Sequence, residues 1–190
     1  MEWVDAPMNE DERQIFHIFL GLCSIALVVF LGVQLAAYIV GAILVMGLLL
    51  VHMKLSGFPL GFLERLVERF ERPGVTPGYG AMTIAAGTLA ILTLVSQKEQ
   101  ILASLVILGF GDAASTLVGR RSKKKLPYSR EKTFGGSFAF FAASLPAAYF
   151  AGLPALLVAG AAAIAESMES NIDDNLIVAI VCVVLFRLLG

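Results

Sequence analysis

Charge is scarce in this chain. Only 15% of its 190 residues are Asp, Glu, Lys or Arg, against 58% hydrophobic and a mean hydropathy of +0.83. A soluble domain of this size needs a charged surface, so the shortage excludes one and makes the bilayer the solvent for much of the chain. Cysteine is nearly absent too. Cys23 and Cys182 each sit inside an apolar run, which excludes a disulfide scaffold and a thiolate metal site and leaves both as small apolar packing residues. The opening stretch MEWVDAPMNEDER is acidic where the n-region of a cleaved signal peptide is basic, so the first apolar run is expected to be a retained helix. There is no internal repeat, no low-complexity tract and no P-loop spacing. The Gly109-Phe110-Gly111 run follows no strand pattern, so it is not a dinucleotide fingerprint.

What the sequence does hold is a series of apolar segments, at 15–33, 35–53, 81–95, 101–118, 134–151, 154–168 and 172–189. The third and sixth are short beside the about 20 residues that cross a hydrocarbon core. Residues 57–72 place Leu60, Leu63, Val67 and Phe70 at helical spacing among alternating Glu and Arg, the pattern of an amphipathic helix lying in the membrane interface. The expected fold is all-α: one domain over 1–190, a polytopic integral membrane bundle of about seven transmembrane helices plus that interfacial helix.

If every segment crosses, the N-terminus (1–14), the amphipathic stretch, the loop at 119–133 and the turn at 169–171 share one side. All Lys and Arg except Lys98 and Arg187, and all acids except Glu99, then fall on or near that side. The positive-inside rule makes it the cytoplasm. Both signs of charge gathered at one face point to a charged site rather than a scaffold.

Asp112 lies about two turns inside the fourth segment, where a carboxylate is costly and is by default functional. Its helical neighbours Ser115, Thr116 and Gly119 make a small polar face. The following loop holds Arg120, Arg121, Lys123, Lys124, Lys125, Arg130 and Lys132. Lys123–Lys125 read equally well as an orientation and lipid-headgroup signal. Lys132, expected to be exposed, abuts Thr133, Gly135, Gly136 and Ser137 at the start of a helix, an arrangement suited to polyphosphate. Glu166, Asp173, Asp174 and Asn175 bracket the last turn. They supply the hard oxygen ligands that Mg²⁺ uses together with substrate phosphates, or an N-cap for the last helix. Glu169 reads as a plain solvent residue. Arg13 and His17 stand one turn apart at the mouth of the first helix, and such a pair is more often an interface anchor than a site.

Four blocks together resemble the CTP-dependent lipid kinases, the family of dolichol, phytol and diacylglycerol kinases. They are ERQIFH around Arg13–His17, RFERPGVTPGYGAMTIAAG, the stretch from GDAASTLVG to KTFGGS, and ESMESNIDDNL. The last two are the specific ones. The resemblance implies a cytosol-facing site that binds CTP and a divalent cation and phosphorylates a lipid alcohol, with no nucleic-acid partner. It places Asp112, Lys132, Thr133, Gly136, Ser137, Asp174 and Asn175 at that site. Arg120 or Arg121 would help clamp the phosphates, and Arg13 and Gly135 flank them. Asp112 would bind metal or accept the hydroxyl proton. Gln14 stands where the family often has Lys, and Gly135 where Glu commonly precedes Gly-Ser. The nearest rival is a CDP-lipid-forming cytidylyltransferase, whose Lys-Asp and His-Gly-Gly signature is missing. A small ion-coupled transporter would place Asp112 and Glu166 near the midplane between broken helices.

The sidedness is directly testable. Cysteines introduced at Ser122 and Gln97 should be labelled by an impermeant maleimide from opposite sides of the membrane. Labelling of both from one side would overturn the arrangement.

Overall fold

The computed structural model describes residues 9–61 and 78–190. Among these the secondary structure is helical, with one isolated antiparallel bridge between Lys125 and Thr133 and no strand. In chain order the helices are α1 (Glu10–Leu31), α2 (Val33–Leu55), α3 (Tyr79–Leu94), α4 (Lys98–Gly119), α5 (Phe134–Ser144), α6 (Ala148–Ser167) and α7 (Asp174–Leu189). Residues 57–61 of the expected interfacial helix are turn and irregular backbone, and the remainder lies outside the described residues.

Local chemistry sets the helix ends. Asn9 accepts from the Glu12 N–H and the Glu12 carboxylate accepts from the Asn9 N–H, a capping box that starts α1 more than a turn before the apolar run. Gly32, at φ 82°, separates α1 from α2. The stretch from Phe134 to Ser167 is 34 residues, which as one straight helix would reach about 51 Å, well beyond a bilayer core of about 30 Å. It is broken at Ala151 and Gly152, where φ reaches 62°, a conformation open to glycine. The chain then doubles back so that Phe141 of α5 faces Gly160 of α6.

Among the described residues, four stretches are long and apolar enough to cross a membrane: α1, α2, α4 and Phe134–Ser167. The apolar window of α4 is 72% buried, against 17% for α1 and 11% for α2. That contrast makes α4 the central rod, packed on α1, α3, α5, α6 and α7, with α1 and α2 at the periphery. Ile101, Leu105, Ile107, Phe140, Val158, Val178 and Phe186 fill the core. The outer surface is itself apolar, with Phe30, Phe138, Tyr149, Leu153 and Leu188 exposed, the inverse of a soluble surface and the dress of a helix bundle in lipid.

Midway along α4, Ile107–Gly111 forms a π-helical turn directly before Asp112. Here α1 and α4 cross backbone to backbone, since a Cβ on Gly109 would stand 2.9 Å from Gly21 Cα. Small residues permit this approach, and it brings the face of α1 that carries His17 against Asp112.

The crossing predicts an asymmetry between glycines. Gly109→Ala should lower stability in detergent by about 1–3 kcal/mol, the usual range for an overpacked contact. Gly47→Ala should be nearly neutral, because the nearest atom to its new methyl is Met82 Cγ at 4.0 Å. Equal melting temperatures for the two variants would contradict the crossing.

Candidate functional site

At one end of the bundle three carboxylates converge from three helices. Oxygens of Asp112 (α4), Glu166 (α6) and Asp174 (α7) lie within 4.8 Å of one another. Asp112 and Glu166 are buried, at 7% and 2% exposure. Lys132 reaches in from the loop before α5 and donates to Glu166 Oε1 and, at 2.7 Å, to Asp174 Oδ2. Ser115, one turn beyond Asp112, donates to the same Glu166 oxygen at 2.9 Å. Burial by itself would lower the Lys132 pKa, but Glu166 and then Asp174 outweigh it and hold the ammonium above the ordinary lysine range. It is fully charged at neutral pH.

The loop that carries Lys132 is held as firmly as a helix. Leu126 N–H donates to Lys132 O and Phe134 N–H to Lys124 O, around the Lys125–Thr133 bridge. Lys125 donates to the Arg130 carbonyl. Ser129 Oγ accepts from the Lys132 and Glu131 N–H groups and donates to Glu169 Oε1. Glu169 also accepts from the backbone of Arg130 and Glu131, and these donors hold its carboxyl below the usual range, the Arg130 N–H foremost. Tyr128 OH meets Ser167 Oγ at 2.9 Å. Glu169 is therefore a loop latch rather than the free solvent residue its surroundings in the sequence suggest, and a contact 40 residues away in the chain is what reveals it.

A cavity of about 260 Å³ opens beside Lys132, walled by Thr116, Gly119, Arg120, Thr133, Gly136 and Ser137, with Glu166 and Asp174 at its floor. Thr133 caps α5 by accepting the Gly136 N–H at 3.1 Å, and Phe134 N–H is taken by Lys124 O. The glycine start of α5 thus contributes room and close approach more than free backbone donors. Gly136 makes that approach possible, since a Cβ there would stand 3.0 Å from Ser115 O. Gly135 instead faces Ser122, away from the cavity.

The other residues singled out from the sequence divide. Arg120 lines the cavity but is paired with Asp11 at 3.2 Å. Arg121 binds the other Asp11 oxygen at 2.7 Å and the Leu117 carbonyl, outside the cavity. Asp173 caps α7, accepting from Asn175 N–H at 3.0 Å and Asn175 Nδ2 at 2.9 Å. A second cavity, of about 140 Å³, lies on the far side of Asp112 between α1, α3 and α7. Asn175, Arg13 and His17 line it. Arg13 pairs with Glu10 at 2.9 Å, and His17 Nδ1 lies 3.5 Å from Asp112 Oδ2. Sequence reasoning had read the Arg13–His17 pair chiefly as an anchor. It missed Ser115 as a direct partner of Glu166, although the three-residue step from Asp112 puts both on one helix face.

The fold and the site define a helical bundle, apolar outside, with a buried carboxylate–lysine cluster at one end. The chain is 30% identical over 172 residues to the uncharacterized protein MJ1137 of Methanocaldococcus jannaschii, over 89% of this chain and 88% of that protein, and it belongs to the same family. No family model matches the chain, and no solved structure matches it.

The expectation of an exposed Lys132 with little structural weight needs correcting. Its side chain is 23% exposed and rests on a Glu166 side chain that is 3% exposed. Removing one partner of such a pair costs up to about 3–5 kcal/mol, because the other charge stays buried without compensation. Lys132→Ala should therefore lower the melting temperature, and adding Glu166→Gln should restore much of the loss. Mg²⁺ should stabilise Lys132→Ala more than the wild type, since a cation can take over the charge compensation. A double variant less stable than Lys132→Ala alone would sink this account.

Proposed function

We propose that this protein is a membrane-embedded phosphotransferase that moves the γ-phosphate of CTP to the hydroxyl of a lipid alcohol of the polyprenol type. In this reading all seven helices cross the bilayer, and the end bearing the carboxylates faces the cytoplasm, where nucleotide is available. One observation carries it. A lysine anchored on two carboxylates forms the floor of a cavity bounded by the glycine start of a helix, at the one end of the bundle where the charges gather. The four sequence blocks that resemble CTP-dependent lipid kinases supply the nucleotide and the acceptor class.

Phosphoryl transfer asks a protein mainly for positioning and for stabilisation of charge on the transferred group. Lys132 and Arg120 would meet the phosphate oxygens in the larger cavity. The donor set fits a divalent cation, because its atoms are carboxylate oxygens within reach of one another. Glu166 and Asp174 would hold it in place of the Lys132 ammonium they bind here, which would turn to the phosphates, and when bound it would offset negative charge on them. Asp112, which borders the second cavity and not the first, would accept the hydroxyl proton. The alcohol oxygen then forms a bond to the γ-phosphorus. The bond from that phosphorus to the β–γ bridging oxygen breaks, and its electron pair leaves with CDP.

Purified protein incubated with Mg²⁺, a polyprenol and CTP labelled at either the γ or the α position tests the assignment. Label from the γ position should appear in extracted lipid, and Asp112→Asn should abolish it. Transfer from the α position would mean a cytidylyltransferase, and transfer from neither would return the transporter reading.

A further inference from the structure

The second cavity has a feature that the carboxylate cluster does not explain. Three buried polar atoms without a hydrogen-bond partner belong to residues that line it: Gln14 Oε1, His17 Nε2 and Asn175 Oδ1. Their residues are only 5%, 6% and 8% exposed. Buried polar atoms are nearly always satisfied, and leaving one unmet costs free energy. All three are acceptors on residues of that one wall, closed off from solvent. The partners of the same side chains are all on other atoms. Gln14 Nε2 donates to Glu10 at 2.9 Å, Asn175 Nδ2 to Asp173, and His17 Nδ1 faces Asp112.

The same wall carries Arg13, Asp112 and Asp173, and it has an apolar part, from Phe16 and Leu20 on α1 and Ala81 and Ile84 on α3. Ala81 also lines a neighbouring cavity of about 140 Å³ between α2 and α3, bounded by Ile43, Leu44, Leu50 and Met82. The polar pocket and an apolar groove therefore adjoin at Ala81. Thr116 and Asp174 border both this pocket and the lysine-lined cavity, so a group held here would stand across the carboxylates from the phosphates.

We infer that the cavity between α1, α3 and α7 is the binding site for the hydroxyl end of a long-chain alcohol. His17 and Asn175 hold the hydroxyl, and the hydrocarbon runs past Ala81 into the groove between α2 and α3. A hydroxyl fits because it carries a proton that the acceptor atoms of His17 and Asn175 can hold, and that Asp112 on the same wall can take when the alcohol reacts. A phosphate or carboxylate headgroup only accepts, and it would face Asp112, Asp173 and Asp174, with Arg13 as the opposing charge.

This assignment rests on the proposed kinase reading, but the experiment separates the two. A diazirine-bearing C20 isoprenoid alcohol is photolysed with the purified wild type, and labelled peptides are mapped with and without excess unlabelled alcohol. Labelling of α1 at Phe16–Leu20 and of α3 at Ala81–Ile84, competed by unlabelled alcohol and lost in Ile84→Trp, is the expected result. In the turnover assay His17→Ala and Asn175→Ala should each raise the alcohol KM about tenfold, as for loss of one hydrogen bond to a buried group. CTP affinity, measured without alcohol, should be unchanged. Competed labelling confined to other helices, or an alcohol KM unmoved in both variants, would overturn the site. If no phosphate is transferred at all, the kinase reading fails, and the labelling pattern still decides whether the pocket takes an alcohol.

Discussion

A half-buried lysine held by two carboxylates organises the charged end of this molecule. Three acids drawn within 4.8 Å of one another, two of them buried, repel strongly where the dielectric is low. Lys132 is the counter-charge that lets α4, α6 and α7 meet there. The surrounding structure is arranged to deliver it. Ser129 fixes its backbone, Glu169 fixes Ser129, and Tyr128 ties the same loop to Ser167 at the end of α6. Loops on a protein surface are usually the mobile part, but this one is pinned to the helix end whose charge it offsets.

The two ends of the bundle differ in kind. At the far end Arg187 donates to the Leu94 carbonyl and Gln97 to the Gly190 carbonyl. These are closures of helix termini on backbone acceptors, and among the described residues no acids converge there. The charged end has ion pairs across α1, α4 and the loop, as well as the carboxylate cluster. A bundle that needed only to fold would suffice with closures at both ends.

The helices were legible in the sequence because apolar runs as long as these have few other uses, while the first break falls at Gly32, inside the run read as 15–33, and another at Gly152, both at positive φ. Asp112, Lys132, Glu166 and Asp174 were legible for a related reason, since a charge at the edge of an apolar run is expensive and stands out. Other features depended on partners remote in the chain. Glu169 carries no local sign of its role, and Gly21 is one small residue among many until Gly109 is seen against it. The capping box at Asn9 is written in Asn-x-x-Glu alone, a local signal that carries no hydropathy. His17 was undervalued because its significance lies in the space it borders, which no spacing rule describes.

The π-helical turn before Asp112 holds one residue more than a regular turn would at that place. One residue corresponds to about 100° of rotation around a helix axis. The wider turn absorbs that residue, so the parts of α4 above and below it keep the phase of one regular helix. The lower part presents its apolar residues to the core, and the upper part turns Asp112 and Ser115 toward α6 and α7. The length of α4 is therefore free to change by one residue at this point. Removing a residue within Ile107–Gly111 would restore a regular helix and leave the carboxylate in its cluster, whereas a deletion in a regular turn of α4 would swing one part of the helix a quarter-turn or more against the other. Among relatives, a gap at this turn would keep both the fold and the alignment of the acids.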